Sequence, residues 1–122
     1  MPFLYKGEPL IGKTNYIEWK TKTDLYLEIN SYMPYINGAK NEPDKGLFFK
    51  KEKDTISDEP YSPETAIKYY ERLTEFENNQ NKALRALKSI LSIKNIERFK
   101  NAKTAKDLYN RIIDIFGKTS FE

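Results

Sequence analysis

Between Ser62 and Ile90 one apolar register runs without interruption. Tyr69, Leu73, Phe76, Gln80, Ala83, Leu87 and Ile90 recur at steps of three and four. Side chains spaced in this way share one face of an α-helix. A helix approaching thirty residues with a single apolar face needs other elements to cover it, which points to a packed helical fold before anything else is considered. Ser62 supplies an N-cap, Pro63 suits the first helical position and Glu64 favours the positive end of the dipole. Asn78-Asn79-Gln80-Asn81 is poor helix-forming sequence. The continuous register nevertheless predicts one long helix, kinked at most at that point.

Three further helices are expected. Asn15 to about Tyr32 opens with Asn15 as cap and Glu18 three residues on, the spacing of a capping box. Trp19, Tyr26, Ile29 and Met33, with Leu25 and Tyr32 beside them, form its expected apolar face, and Pro34 its stop. A short helix around Lys94 to Asn101 offers Ile96 and Phe99. The last starts at Thr104, with Asp107 completing a second capping box, and ends at Gly117. Its stripe is Ala105, Leu108, Tyr109, Ile112, Ile113 and Phe116. No segment alternates with period two, so the expected fold class is all-α: a compact bundle of four to five helices in one domain over residues 1–122. An extended N-terminal arm, 1–14, is punctuated by Pro2, Gly7, Pro9 and Gly12. A long loop, 38–61, follows the first helix, and Leu47-Phe48-Phe49 should pin it to the domain or to a neighbour.

Chemistry is narrowed by what the chain lacks. Its 122 residues contain neither Cys nor His. Zinc sites built from those ligands, Ser-His-Asp or Cys-His nucleophiles and any histidine general base are thereby excluded. The carboxylates form no defensible acid–base pair, and no metal or cofactor is expected. No apolar run reaches the roughly 18–20 residues of a membrane helix, and the first residues lack a secretory pattern, so a soluble intracellular protein is expected. The expectation is a non-enzymatic protein that binds or assembles. Net charge is only +3, but residues 61–122 carry 12 basic and 8 acidic side chains against 9 and 10 in residues 1–60. Arg85, Lys88, Arg98 and Arg111 are the candidate RNA-facing residues of that basic stretch. Aromatics make up 14% of the chain. Tyr26, Phe76, Tyr109 and Phe116 lie on core stripes, whereas Tyr35, Tyr61 and Tyr70 fall off them and suit an interface.

Gly7-Glu8-Pro9-Leu10-Ile11-Gly12-Lys13-Thr14 matches the phosphate-cradling pattern G-x-x-x-x-G-K-[ST], and a helix follows it. A working P-loop also needs a strand feeding it and a second strand ending in Asp. Only Phe3-Leu4-Tyr5 and Ile112-Ile113-Asp114 are available, the latter within a helical stripe. The alternative reading as a P-loop nucleotide-binding protein therefore lacks its structural context.

Three stretches together carry a family resemblance. Leu10-Ile11-Gly12-Lys13-Thr14-Asn15-Tyr16-Ile17-Glu18-Trp19 resembles the L-x-G-x-N-Y-x-x-W opening of the Gag polyproteins of copia-type LTR retrotransposons. Asn81 to Leu91, with Ala83, Leu87 and Ile90, is similar to that family's middle helix. Thr104-Ala105-Lys106-Asp107-Leu108-Tyr109 through Phe116-Gly117 resembles its T-A-K-x-[LA]-[WY] helix with a closing aromatic-Gly step. The resemblance implies the N-terminal domain of a capsid. Such a domain self-associates, weakly when isolated, into the shell of a cytoplasmic virus-like particle around element RNA. Leu10, Gly12, Asn15, Tyr16, Trp19, Ala83, Leu87, Thr104, Leu108, Tyr109, Phe116 and Gly117 would be its motif and core residues. Leu47, Phe48, Phe49 and Tyr70 are the candidate assembly interface. The family's frequent Trp of the middle helix is replaced here by Tyr70 or Phe76, and the chain ends where members continue into a second capsid lobe and often a zinc knuckle. An excised domain or a shortened, domesticated Gag is expected. A small helical nucleic-acid-binding or regulatory module is the remaining alternative.

Overall fold

A computed structural model of the protein describes residues 3–117. Met1 and Pro2, where the expected arm starts, and residues 118–122, where the expected domain span ends, lie outside the described residues. The elements in chain order are α1 (Tyr16–Ile29), β1 (Phe49–Glu52), β2 (Thr55–Pro60), α2 (Pro63–Ser89), α3 (Ile93–Arg98) and α4 (Ala105–Phe116). Short 3₁₀ turns stand at Met33–Tyr35 and Lys45–Leu47. The chain is thus mostly helical but not all-α, because an antiparallel hairpin occupies the segment expected to be a loop. It divides into two compact units, one of Met1–Ala39 with Asn79–Glu122 and one of Lys40–Asn78, and α2 runs through both.

In the first unit the core gathers Leu10, Tyr16, Trp19, Leu27, Ile36, Ala83, Leu87, Ile90, Phe99, Leu108, Ile112 and Phe116. The capping of α4 is half as expected: Thr104 Oγ1 accepts from the Asp107 amide, but the Asp107 carboxylate turns to Arg111 Nε, 3.0 Å away. Ser92 caps α3 in the same way through the Asn95 amide. Helix α1 departs further from expectation. Its buried face is Tyr16, Trp19, Thr23 and Leu27, while Leu25 and Ile29 are exposed. Glu18 pairs with Lys22 and closes no capping box. The helix stops before Pro34 can end it. Ser31 adopts φ 63°, and the amides of Ser31 and Tyr32 turn back to the carbonyls of Glu28 and Leu27. This is a Schellman termination with serine where glycine is usual.

In the second unit Lys51 pairs with Ile56 and Glu52 with Thr55 across a two-residue turn, Lys53-Asp54. Lys53 takes φ 56°, the left-handed backbone that such turns demand. Ion pairs brace this segment, Lys50 to Glu59 at 3.0 Å and Lys45 to Asp58 at 2.9 Å. Phe48 and Phe49 are buried against Tyr69, with ring centroids 5.6 and 5.3 Å apart. Arg72 lies 5.5 Å over the Phe48 ring. At the start of α2, Ser62 and Thr65 cap each other reciprocally, side-chain oxygen to backbone amide. The run Asn78-Asn79-Gln80-Asn81 stays helical. Propensity costs of a few tenths of a kcal/mol per residue are overridden by the apolar stripe that continues on either side.

Candidate functional site

Two of the three stretches that carry the family resemblance meet at one carbonyl, and the third joins them through an aromatic stack. The oxygen of Ile90, at the end of α2, accepts from the Leu10 amide at 3.0 Å and from the Trp19 indole Nε1 at 2.8 Å. Leu10 also forms a parallel bridge with Leu91, its own carbonyl accepting from the Ser92 amide at 3.0 Å and from buried Asn95 Nδ2 at 2.8 Å. Tyr16 stacks on Trp19 and on Phe116, centroids 6.4 and 6.2 Å apart. A side chain added at Gly117 would stand 2.5 Å from the Ile113 carbonyl and 3.1 Å from the Tyr16 hydroxyl, so only glycine fits that approach. Leu10, Tyr16, Trp19, Ala83, Leu87, Leu108 and Phe116 are buried, and Thr104 caps α4.

The P-loop-like stretch is wired differently from a phosphate cradle. Asn15 does not cap α1; its Oδ1 accepts from the amides of Ile11 at 3.0 Å and Gly12 at 3.3 Å, and its Nδ2 donates to the Pro9 carbonyl. The Leu10 amide is held by Ile90. Three amides inside the pattern are therefore already satisfied, and Leu10 feeds a single bridge instead of a sheet strand. The arm is fastened once more at Asn30, whose side-chain amide forms a two-point hydrogen bond with the backbone of Phe3. A cleft of about 410 Å³ lies between the arm and α1, with Tyr5, Lys6, Glu8, Glu18 and Lys22 on its walls. Its two cations and two anions balance, and the Lys22–Glu18 pair is 2.9 Å long.

Tyr109 does more than fill the α4 stripe. Its hydroxyl donates to Asp24 of α1, whose other oxygen accepts from Lys20 at 2.8 Å. Burial and then the Asp24 carboxylate push Tyr109 up to about 12. The hydrogen bond to Asp24 raises Lys20 as well. This network ties α1 to α4 and was not visible in the spacing of its members, which are 85 residues apart.

The expected interface residues separate. Leu47 and Tyr70 are exposed at 72% and 55%, whereas Phe48 and Phe49 fall to 8% and 2%. Those two phenylalanines are interior residues of the hairpin unit and offer no contact surface. Of the candidate RNA-facing residues, Arg111 is paired with Asp107, and Arg98 lies over the rings of Phe99 and Phe116. Arg85 and Lys88 make no ion pair among the described residues. By sequence the first unit holds 14 basic and 8 acidic side chains, the second 7 and 10. Among the described residues no cluster of acidic side chains could hold a metal ion, and no helix is long and apolar enough to cross a membrane. Comparison with protein-family models, with curated proteins and with solved structures finds no match.

Proposed function

We propose that this chain is a non-enzymatic assembly domain, the N-terminal capsid domain of a copia-type retrotransposon Gag, whose work is to associate with copies of itself in a cytoplasmic particle. The observation that carries the reading is that the opening stretch bonds to the Ile90 carbonyl of the middle stretch and stacks, through Tyr16, on Phe116 of the last. Residues from all three resembling stretches are used on one another, as structural motifs of one domain should be, and none is left over as a reactive group. The opening stretch has one residue more than the family pattern, Lys13 and Thr14 standing between Gly12 and Asn15. The turn closed by the Asn15 amide on the Gly12 carbonyl, 3.2 Å, accommodates it. The nucleotide-binding alternative is disfavoured by the amides that Leu10, Ile11 and Gly12 have already committed. Element RNA is a partner of the whole particle protein in this reading.

Weak association is expected of a single lobe, because shells gain strength from many contacts held together. Sedimentation of the chain over a concentration series should show a mass that rises with concentration and returns to monomer on dilution. Electron microscopy of the concentrated protein should show discrete oligomers. A strictly monomeric chain into the millimolar range would overturn the proposal.

A further inference from the structure

Of the asparagines in the sequence only Asn37 is followed by glycine. Asn37-Gly38 lies in the first unit, just after the 3₁₀ turn Met33–Tyr35. The Asn37 amide donates to the Met33 carbonyl at 2.9 Å, so the backbone is held, while the residue itself is exposed to water. Gly38 takes φ 86°, a left-handed backbone that a side chain would strain.

The Asn37 side chain folds back over this step. Its Oδ1 accepts from the Ala39 amide at 2.9 Å, which sets Cγ against the peptide joining Asn37 to Gly38. A donor on that oxygen polarises the side-chain carbonyl and stands where negative charge develops when Cγ is attacked. A β-carbon built on Gly38 would meet Lys106 Nζ at 3.8 Å, so an ammonium lies beside the same peptide. Lys106 makes no ion pair among the described residues. Every other asparagine precedes a residue whose β-carbon crowds the next nitrogen. Asn30, before Ser31, is also tied down, its side-chain amide bonded to the Phe3 backbone and to the Tyr26 carbonyl.

We infer that Asn37-Gly38 is a self-modifying site, at which the folded chain converts asparagine to aspartate and isoaspartate with water as the only co-reactant. The Gly38 nitrogen gives its proton to solvent hydroxide and bonds to Asn37 Cγ. Nδ2 takes up a proton from water, the Cγ–Nδ2 bond breaks and ammonia leaves, which closes a five-membered succinimide. Water then adds to one ring carbonyl and opens the adjacent C–N bond. Opening at Cγ gives aspartate, and opening at the main-chain carbonyl gives isoaspartate, with the backbone running through Cβ. The Ala39 amide steadies the oxyanion. Lys106 offsets charge on the attacking nitrogen and afterwards on the new carboxylate. Each conversion adds one negative charge to the first unit. The site stands independently of the assembly proposed above.

The test incubates the full chain at neutral pH for several weeks and digests it with trypsin. The peptide Thr23–Lys40 carries both Asn30 and Asn37, so fragment masses assign the replacement of NH2 by OH to one or the other. Methyl transfer from S-adenosylmethionine by a protein isoaspartate methyltransferase counts the isoaspartate. Asn37 should convert at least as fast in the folded chain as in a free peptide of the same sequence, and Asn30 should lag about tenfold or more. Lys106→Gln, shown to be folded by circular dichroism, should slow Asn37 about two- to fivefold, the effect of one exposed charge. Slower conversion in the folded chain than in the peptide would mean that the fold protects the step, and the inference would be overturned. Absence of conversion, or equal conversion at Asn30, would overturn it as well. An unchanged rate in Lys106→Gln would refute the part assigned to that lysine.

Discussion

Removing the Trp19 side chain tests the junction at Ile90 directly. Trp19 is 2% exposed, stacks on Tyr16 and donates its indole N–H to the Ile90 carbonyl. An aromatic side chain of this kind buries roughly 150–250 Å². At about 25 cal/mol per Å² this corresponds to ~4–6 kcal/mol of transfer free energy. Truncations of buried aromatics to alanine typically cost about 3–5 kcal/mol, and this range is expected for Trp19→Ala. Trp19→Phe separates packing from hydrogen bonding. The Ile90 oxygen keeps the Leu10 amide at 3.0 Å, so no buried acceptor is orphaned. Its cost should be limited to about 1–2 kcal/mol, the lost bond plus a modest change in volume. Urea unfolding followed by far-ultraviolet circular dichroism suits both variants, since neither retains the protein's single tryptophan. The midpoint should fall with little change in slope. A loss under about 1 kcal/mol for Trp19→Ala would show that the side chain is not buried in solution. Equal losses for the two variants would refute the claim that ring volume dominates.

ATP or GTP with magnesium should leave the melting temperature unchanged at millimolar concentration, because the loop amides are occupied; a shift abolished by Lys13→Ala would contradict this. Ser31→Gly should stabilise the protein by about 0.5–1 kcal/mol in denaturant titration, since glycine adopts the left-handed conformation without steric cost. Phe49→Ala should cost about 3–5 kcal/mol in the stability of the hairpin unit, read by hydrogen exchange, and leave sedimentation unchanged. The raised values of Tyr109 and Lys20 mean that their stabilisation is complete below about pH 10 and is lost as pH rises. The melting temperature should therefore fall between about pH 10 and 12, and Tyr109→Phe should reduce the fall.

Helices α2 and α4 were legible because cap, period and stop agree in them: Ser62 and Thr104 start them, and one apolar stripe fills each. The buried face of α1 differs from the expected one for a physical reason. Leu25 and Ile29 look like core residues but point outward, while Thr23 is fully buried among larger neighbours. Apolar side chains on both sides of a helix leave its period ambiguous. The hairpin left almost no trace, since Lys50-Lys51-Glu52 and Thr55-Ile56-Ser57-Asp58-Glu59 do not alternate, and Lys53 holds a backbone conformation usually marked by glycine or asparagine. Of the two expectations for Phe48 and Phe49, pinning the segment to its own domain or offering an assembly interface, burial leaves only the first, and the strand that buries Phe49 has no periodic signal to announce it. At the candidate site, Trp19 and Thr104 could be placed from the sequence. Asn15 and Asn95 could not, because their partners are backbone atoms whose positions only the fold supplies.

The carbonyl of Ile90 also constrains how the protein is made. Its partners Leu10 and Trp19 leave the ribosome long before it does, with 71 residues separating Trp19 from Ile90. The Tyr16 stack waits longer still, for Phe116. Residues 40–78, in contrast, are contiguous and can pair and pack as soon as they emerge. Synthesis therefore completes the hairpin unit first and holds the N-terminal helix without its core until the last helix arrives. During that interval Trp19, Tyr16 and Leu27 are unshielded, and a chain stalled before α4 exposes an aromatic surface to chaperones and to neighbouring nascent chains.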